Sequence, residues 1–485
     1  MAGVRIIITA VLAAASAATT AVSVTVLPFY DQESGHLEPL VWFTVGLWVL
    51  FALSLIALRA VRGTRAAMLL VIAGSVAIGA AAMVGPPNTS TDSARYAWDG
   101  IVQDAGISPY AYAPADPALA FLRPKWLFPT PTAGADHELH CPGMRIEKTR
   151  ELETGDVICT ALNRAAVTTI YPPASELFFA AVRFVAGPGP QYWPMQVACL
   201  LLSLAITGLL LRGLIARGRD PRWAALWAWC PLVATEGVTN SHIDMLGALL
   251  LLAATLLASS RRPWLAGIAL GAAISTKLIP VIGSFALLRR RPVAVIAATI
   301  GVFTLLYVPY VLANGIGVLG YLPGYLNEEG YVSGSRFILL SLLLPGTAAL
   351  AVSGVLLAVL AAYCWRKSDP DDPWLGQLVM IGGTLLIVSP SYPWYSLLLV
   401  PMIAMTGRWE WLAVPLALTQ RLFFPEALDP ARVVFTIAIV VVLLGSVPRS
   451  GPGALGRAWD ELRHPWRPAR SPETRGFGAG NVTER

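Results

Sequence analysis

Two aspartates seven residues apart frame the segment Thr91-Asp92-Ser93-Ala94-Arg95-Tyr96-Ala97-Trp98-Asp99-Gly100. Seven residues make about two helical turns, so a helix here sets both carboxylates on one face, with Arg95 and Tyr96 between them. A carboxylate held in this way can take a proton from a hydroxyl. The same residues also make an ordinary helix start, with Asp92 as N-cap and Arg95 as its neighbour. Composition does not choose between the two.

Other polar groups stand inside or beside apolar runs, where they are costly and tend to serve function. Glu236, His242 and Asp244 cluster at a helix end, where capping is the plainer reading. Lys277 lies in an apolar stretch from which its stem could snorkel to the interface. Arg336 opens an apolar run, and Tyr392-Pro393-Trp394-Tyr395 forms an aromatic turn that would also suit an interfacial belt. Pro109-Tyr110-Ala111-Tyr112-Ala113-Pro114 and Thr169-Ile170-Tyr171-Pro172-Pro173 read as rigid, aromatic and non-helical. His137, His140 and Cys141 lie together; without further ligands they read as a solvated turn rather than a metal site.

The elements that position these groups follow from composition. Of 485 residues, 56% are hydrophobic and 13% charged, with a mean hydropathy of +0.62. A bilayer span takes about 20 mostly apolar residues. The chain therefore reads as an all-α polytopic membrane protein, with about 12 transmembrane helices and a re-entrant hairpin. This excludes a soluble enzyme, a disordered chain and a disulfide scaffold. Long apolar runs also argue against a membrane barrel. The net charge of +6 reads as arginine in cytoplasmic loops and predicts no nucleic-acid partner.

Arginine clusters set the expected topology. The loop after the first run carries Asp31, Glu33 and Glu38 and no Lys or Arg, whereas the second run ends at Arg59, Arg62 and Arg65. That puts both termini in the cytoplasm and residues 85–190 outside. The first run, 6–28, has small residues like a cleavable leader, but its length and the span that follows favour a retained helix. Residues 1–84 form N-terminal spans, 85–190 an extracytoplasmic loop, 191–448 the transmembrane core and 449–485 a basic, disordered cytoplasmic tail. Residues 263–288 have Arg261 and Arg262 before them, Arg289 to Arg291 after them and Pro280 inside, which suits a re-entrant hairpin. In the outside loop, residues 174–186 predict an interfacial helix with an apolar face at Leu177, Phe178, Ala181, Val182 and Val185. The outside location favours a Cys141–Cys159 bridge, with two free thiols as the alternative. Cys199, Cys230 and Cys364 read as core residues.

Taken in order, Asp92-x-x-Arg95-Tyr96-x-Trp98-Asp99-Gly100, Pro109-Tyr110, Asn163-Arg164, Tyr171-Pro172-Pro173, His242-Ile243-Asp244, Lys277-x-x-Pro280 and Pro393-Trp394-Tyr395 resemble a known family. They are similar to the actinobacterial polyprenyl-phosphate-sugar glycosyltransferases of the GT-C superfamily, and most like glycosyltransferase family 87, over about residues 85–425. Two features depart from the pattern: Tyr392 stands where relatives often have His, and two extra spans precede the Asp-bearing loop.

The resemblance implies a polyprenyl-phosphate-sugar donor held by membrane lipids and a glycan or glycolipid acceptor. It places Asp92 as the base, with Asp99 second as base or acceptor-binding group. It implies substrate-binding roles for Arg95, Tyr96, Tyr171, His242, Asp244, Arg336, Trp394 and Tyr395. Arg336 is first choice for the leaving phosphate, and the family default sugar is mannose, transferred with inversion in cell-envelope synthesis. No cofactor is certain, and a divalent cation is left open. The rival class is a secondary transporter or lipid flippase, which broken helices and intramembrane charges would suit. The absence of inverted repeats and the structured, Asp-bearing loop argue against it.

Overall fold

The computed structural model describes residues 2–28, 37–134, 137–331, 333–425 and 427–446. The expected tail, 449–485, and the acidic residues Asp31 and Glu33 lie outside them. Two compact units are delimited, residues 1–442 and 443–485. Of the second unit only the four residues ending the last helix are described.

The first unit opens with three apolar helices, α1 (Ala2–Val26), α2 (Leu37–Arg59) and α3 (Thr64–Ala81). The loop that follows holds α4 (Asp92–Asp104), two short hairpins and α5 (Pro173–Ala186). In the hairpins, β1 (Thr132–Ala133) pairs antiparallel with β2 (Leu139–His140), and β3 (Glu147–Arg150) with β4 (Val157–Thr160), Lys148 opposite Cys159. Cys141 and Cys159 form a disulfide that ties the two hairpins together. The rest of the unit is helical: α6 (Trp193–Ala216), α7 (Ala225–Ala228), α8 (Asp244–Ser259), α9 (Pro263–Ile274), α10 (Pro292–Asn314) and α11 (Leu322–Glu328). Then come α12 (Gly346–Lys367), α13 (Trp374–Val388), α14 (Val400–Thr406), α15 (Ala413–Phe423) and α16 (Leu428–Ser446).

Among the described residues, seven helices are long and apolar enough to cross a membrane, or up to eight if the π-helical turn Val233–Thr239 and α8, bent by 112°, make one span. Hydropathy suggests about 12, because it does not register where an apolar run is broken. The runs near 223–238, 395–407 and 409–424 are short helices joined by tight turns such as Pro221–Ala224, Pro393–Leu398 and Trp409–Leu412. Pro221 and Pro393 open two of these turns; proline lacks the N–H that a continuous helix needs there.

The 263–288 stretch is a hairpin of α9 and the 3-10 helix Ile279–Leu287. Its tip meets the start of α5: Ala174 N donates to Ser275 O at 2.9 Å, and Ser175 Oγ to Thr276 O at 2.5 Å. Gly267 and Gly271, one turn apart on α9, let α10 approach closely. A Cβ at either would fall 2.5 Å from Val295 O or 2.6 Å from Thr299 O. Gly100 does the same for α4 on α5, since a Cβ there would meet Phe179 O at 2.5 Å.

Helix α5 is amphipathic in the sense a membrane surface demands. Glu176, Phe179 and Arg183 are buried in the protein, whereas Leu177, Phe184 and Val185 are exposed. Its apolar side is turned outward and its charges inward, which suits a helix lying against lipid.

Candidate active site

Asp92 is the first residue of α4, and its backbone N–H donates to Ser90 Oγ at 3.1 Å. The start of a helix favours an anion there. Three groups surround its carboxylate: Asn163 Nδ2 donates to Oδ1 at 3.3 Å, Tyr96 OH donates to Oδ2 at 3.5 Å, and His242 Nε2 lies 3.8 Å from Oδ2. The side chain keeps 18% of its surface open to a cavity of about 500 Å³ that it helps to line.

Tyr96 is fully buried, stacked on Phe179 at 4.4 Å and edge-on to Tyr171 at 5.1 Å. Burial pushes the phenols of Tyr96 and Tyr171 well above their ordinary value, and nearby negative charge, including Asp92, adds to it. Both stay neutral, so Tyr96 serves Asp92 as an O–H donor.

Asp99 has a different setting. The helix does form, but Asp99 lies about 10 Å further along it and does not line the cavity. Its carboxylate accepts from Arg95 Nε at 2.9 and 3.0 Å, and both side chains are buried. Arg95 also donates to Val167 O at 3.2 Å while still touching the cavity wall. Asp99 therefore holds Arg95 and the 167–169 strand of loop; it is not placed to take a proton from a group in the cavity.

Lys277, Arg336 and Arg164 line the same cavity, each paired with a carboxylate. Lys277, at the hairpin tip, donates to Asp244 Oδ2 at 2.8 Å and lies 4.6 Å from the Tyr395 ring centre. Arg336 pairs with Glu329 and stands over the rings of Tyr331 at 4.5 Å and Tyr395 at 6.0 Å. Arg164 pairs with Glu328 at 2.8 Å. The hydroxyls of Tyr325 and Tyr395 share a hydrogen bond of 2.7 Å. One flank is apolar: Leu278, Val281, Leu319 and Leu326 line the cavity and are also exposed, so this wall runs on into the outer surface.

His242 and Asp244 stand behind the wall, and neither lines the cavity. A left-handed Ser241 (φ 56°) turns the chain between the π-helical turn and α8 and aims the His242 ring. That ring stacks on Trp394 at 3.9 Å, and Trp394 stacks on Tyr392 at 4.4 Å. Tyr392, in the position where a His is common, thus closes a three-ring stack of which Trp394 and Tyr392 face the cavity.

Of the residues singled out from sequence, Asp92, Arg95, Tyr171, Arg336, Trp394 and Tyr395 line one cavity. Tyr96, His242 and Asp244 support it from behind. Lys277 belongs to the wall instead of snorkelling away, and its position before Pro280 in a broken apolar run was the available signal. Glu329 and Tyr325 carried no signal, because they sit in a stretch that reads as an ordinary polar loop. Among the described residues, no group of three or more His, Cys, Asp or Glu could hold a metal ion.

Residues 169–390 match the model of glycosyltransferase family 87. The chain is a glycosyltransferase whose central segment is similar to family 87. The matched segment carries the hairpin tip, Arg336 and the His242-Ile243-Asp244 turn; Asp92 lies before it and Trp394 just after it. The chain is also similar to the polyprenol-phosphate-mannose-dependent alpha-(1-2)-phosphatidylinositol pentamannoside mannosyltransferase of Mycolicibacterium smegmatis. The identity is 26% over 310 residues, 61% of this chain and 71% of the relative. No solved structure matches the chain. Its long apolar helices make it a multi-pass membrane protein, and the cavity lined by Asp92 and the cations is its candidate active site.

Proposed function

We propose that the chain transfers mannose from a polyprenyl-phosphate donor to a hydroxyl of a glycan or glycolipid, at the extracytoplasmic face and with inversion. The observation that carries this reading is the single cavity in which the Asp92 carboxylate faces Lys277 and Arg336. The sugar and the donor class come from the mycobacterial relative, whose activity depends on polyprenol-phosphate-mannose. The side of the membrane comes from the arginine asymmetry of the loops.

The residues then divide the chemistry. A prenyl chain lies along Leu278, Val281, Leu319 and Leu326, where the cavity wall meets the outer surface. The phosphate sits by Lys277 and Arg336, whose charges strengthen their hold as the leaving group gains charge. The Tyr325 and Tyr395 hydroxyls can donate to the same oxygens. Asp92 takes the acceptor proton as the acceptor oxygen attacks the sugar C1, while Asn163 and Tyr96 hold the carboxylate in place. Among the described residues that line the cavity, Asp92 is the one carboxylate, not the pair a double displacement would need, so a single attack inverts the anomeric centre.

The deciding experiment incubates membranes containing the chain with labelled polyprenyl-phosphate-mannose and identifies the labelled product. Label in a glycan or glycolipid, in an inverted linkage, is expected. Label that crosses the membrane while still on its donor would favour transport instead.

A further inference from the structure

His242 is fully buried, and its two ring nitrogens have opposite surroundings. Nδ1 lies 2.9 Å from Glu236 O. A carbonyl can only accept, so Nδ1 carries the proton and Nε2 presents a lone pair. Nε2 has no hydrogen-bond partner among the described residues, and it points at Asp92 Oδ2 from 3.8 Å. A lone pair and a carboxylate facing each other in a buried site form an incomplete contact, which one proton would complete.

We infer that Asp92 and His242 act as a carboxylate–imidazole pair, in which His242 positions the base and stores the proton that Asp92 takes from the acceptor. This rests on the reading of Asp92 as the base. The acceptor O–H bond breaks as its oxygen forms a bond to the sugar C1, and the C1–O bond to the phosphate breaks with its electron pair leaving on the phosphate. The proton passes to Asp92 Oδ2 and then to His242 Nε2, and returns to water when the products leave. The gap has to close by about 1 Å, an ordinary tightening on substrate binding.

Burial opposes a transient imidazolium, and the groups around the ring offset part of that cost. From the π-helical turn, the Glu236 carboxylate lies 3.5 Å from Nδ1 and is held by Thr89 Oγ1 at 3.1 Å. The Trp394 face lies against the ring at 3.9 Å and favours a cation. Asp92 and Tyr96 face it from α4 and Asp244 from the start of α8, while Lys277 at the hairpin tip opposes the charge and is itself paired to Asp244.

Two variants test the inference. His242→Asn keeps an N–H near Glu236 O and deletes Nε2; His242→Gln offers Asp92 an amide N–H but stores no proton. Both should lower kcat about 10–100-fold, with the donor KM within about twofold. The acid limb of kcat/KM should move about one pH unit or more downward, because a lone carboxylate binds a proton less tightly than the pair. Unchanged kcat, or lowered kcat with an unmoved acid limb, would overturn it and leave His242 a structural role. An Asp92→Asn control separates the two readings. If Asp92→Asn is inactive while the His242 variants behave as wild type, only the pair fails; if Asp92→Asn transfers normally, the base assignment fails with it. Should either His242 variant not fold, [15N]histidine NMR of a chain with His36, His137, His140 and His464 replaced reads the tautomer directly. The Nδ1–H form is expected, and the Nε2–H form would overturn the inference.

Discussion

Arg95 Nε reaches both oxygens of Asp99, at 2.9 and 3.0 Å, one helical turn along α4 and away from solvent. A buried pair of this kind is broken at a cost of about 3–5 kcal/mol when one partner is removed, because the other charge is left uncompensated. Asp99→Asn should therefore lower the melting temperature markedly, and the surviving folded fraction should keep most of its turnover. Thermal melting in detergent beside specific activity per folded protein checks this. A normal melting curve with abolished transfer would return Asp99 to the chemistry.

Asp92→Asn should show the reverse pattern. The amide keeps the size and the contact with Asn163, but cannot take a proton. Turnover should fall about 10²–10⁴-fold, the range that general base catalysis supplies. Donor binding and melting temperature should stay near wild type, because the proposed phosphate partners Lys277 and Arg336 are paired with Asp244 and Glu329 and not with Asp92. Single-turnover transfer and donor affinity, measured side by side, make the comparison.

Much of this arrangement was legible before any coordinates. The seven-residue spacing set Asp92 and Asp99 on one face of any helix formed there, and α4 is that helix; the amphipathic stretch after Tyr171-Pro172-Pro173 pointed to α5. What periodicity could not give was depth along the helix. Asp92 and Asp99 share a face, but the α5 helix packs over the further part of α4, so one carboxylate meets the cavity and the other meets Arg95. Nor could local pattern bring Lys277 into one cavity with Asp92, because that placement depends on how the hairpin tip meets Ala174 and Ser175. The expected count of about 12 spans exceeds the seven or eight helices long enough to cross among the described residues for a related reason: hydropathy averages over breaks that single prolines introduce.

Lys277 and Arg336 should act on the donor rather than on the base. Arg336→Ala and Lys277→Ala each remove a charged donor from the proposed phosphate position, worth about 1.5–3 kcal/mol, so donor affinity should fall about 10–100-fold along with turnover. Each also strands a buried carboxylate, Glu329 or Asp244. The paired variants Arg336→Ala with Glu329→Gln and Lys277→Ala with Asp244→Asn should thus regain stability without regaining donor affinity. Restored affinity in the paired variants would mean that the cations serve the fold alone.

Glu176 offers a test of the layer beneath the site. Its carboxyl is fully buried in α5, with Oε1 accepting from Thr169 Oγ1 at 2.7 Å and Oε2 without a hydrogen-bond partner among the described residues. Burial holds its pKa well above the ordinary carboxylate value, and the nearby Asp99 adds to this, while Thr169 and Arg95 oppose it. The sign of the effect on stability follows. The folded state keeps this proton to higher pH than the unfolded chain does, so the unfolded chain binds fewer protons between the two pKa values. The contribution is complete below the unfolded value, about 4.3. It is lost as pH rises toward the raised folded value, at up to about 1.4 kcal/mol per pH unit. Glu176→Gln carries no such proton. The melting temperature of the wild type should fall relative to that of Glu176→Gln as pH is raised from about 5 to about 8. Curves that stay parallel over this range would mean that Glu176 is ionised in the folded protein, with Arg95 shared between two carboxylates.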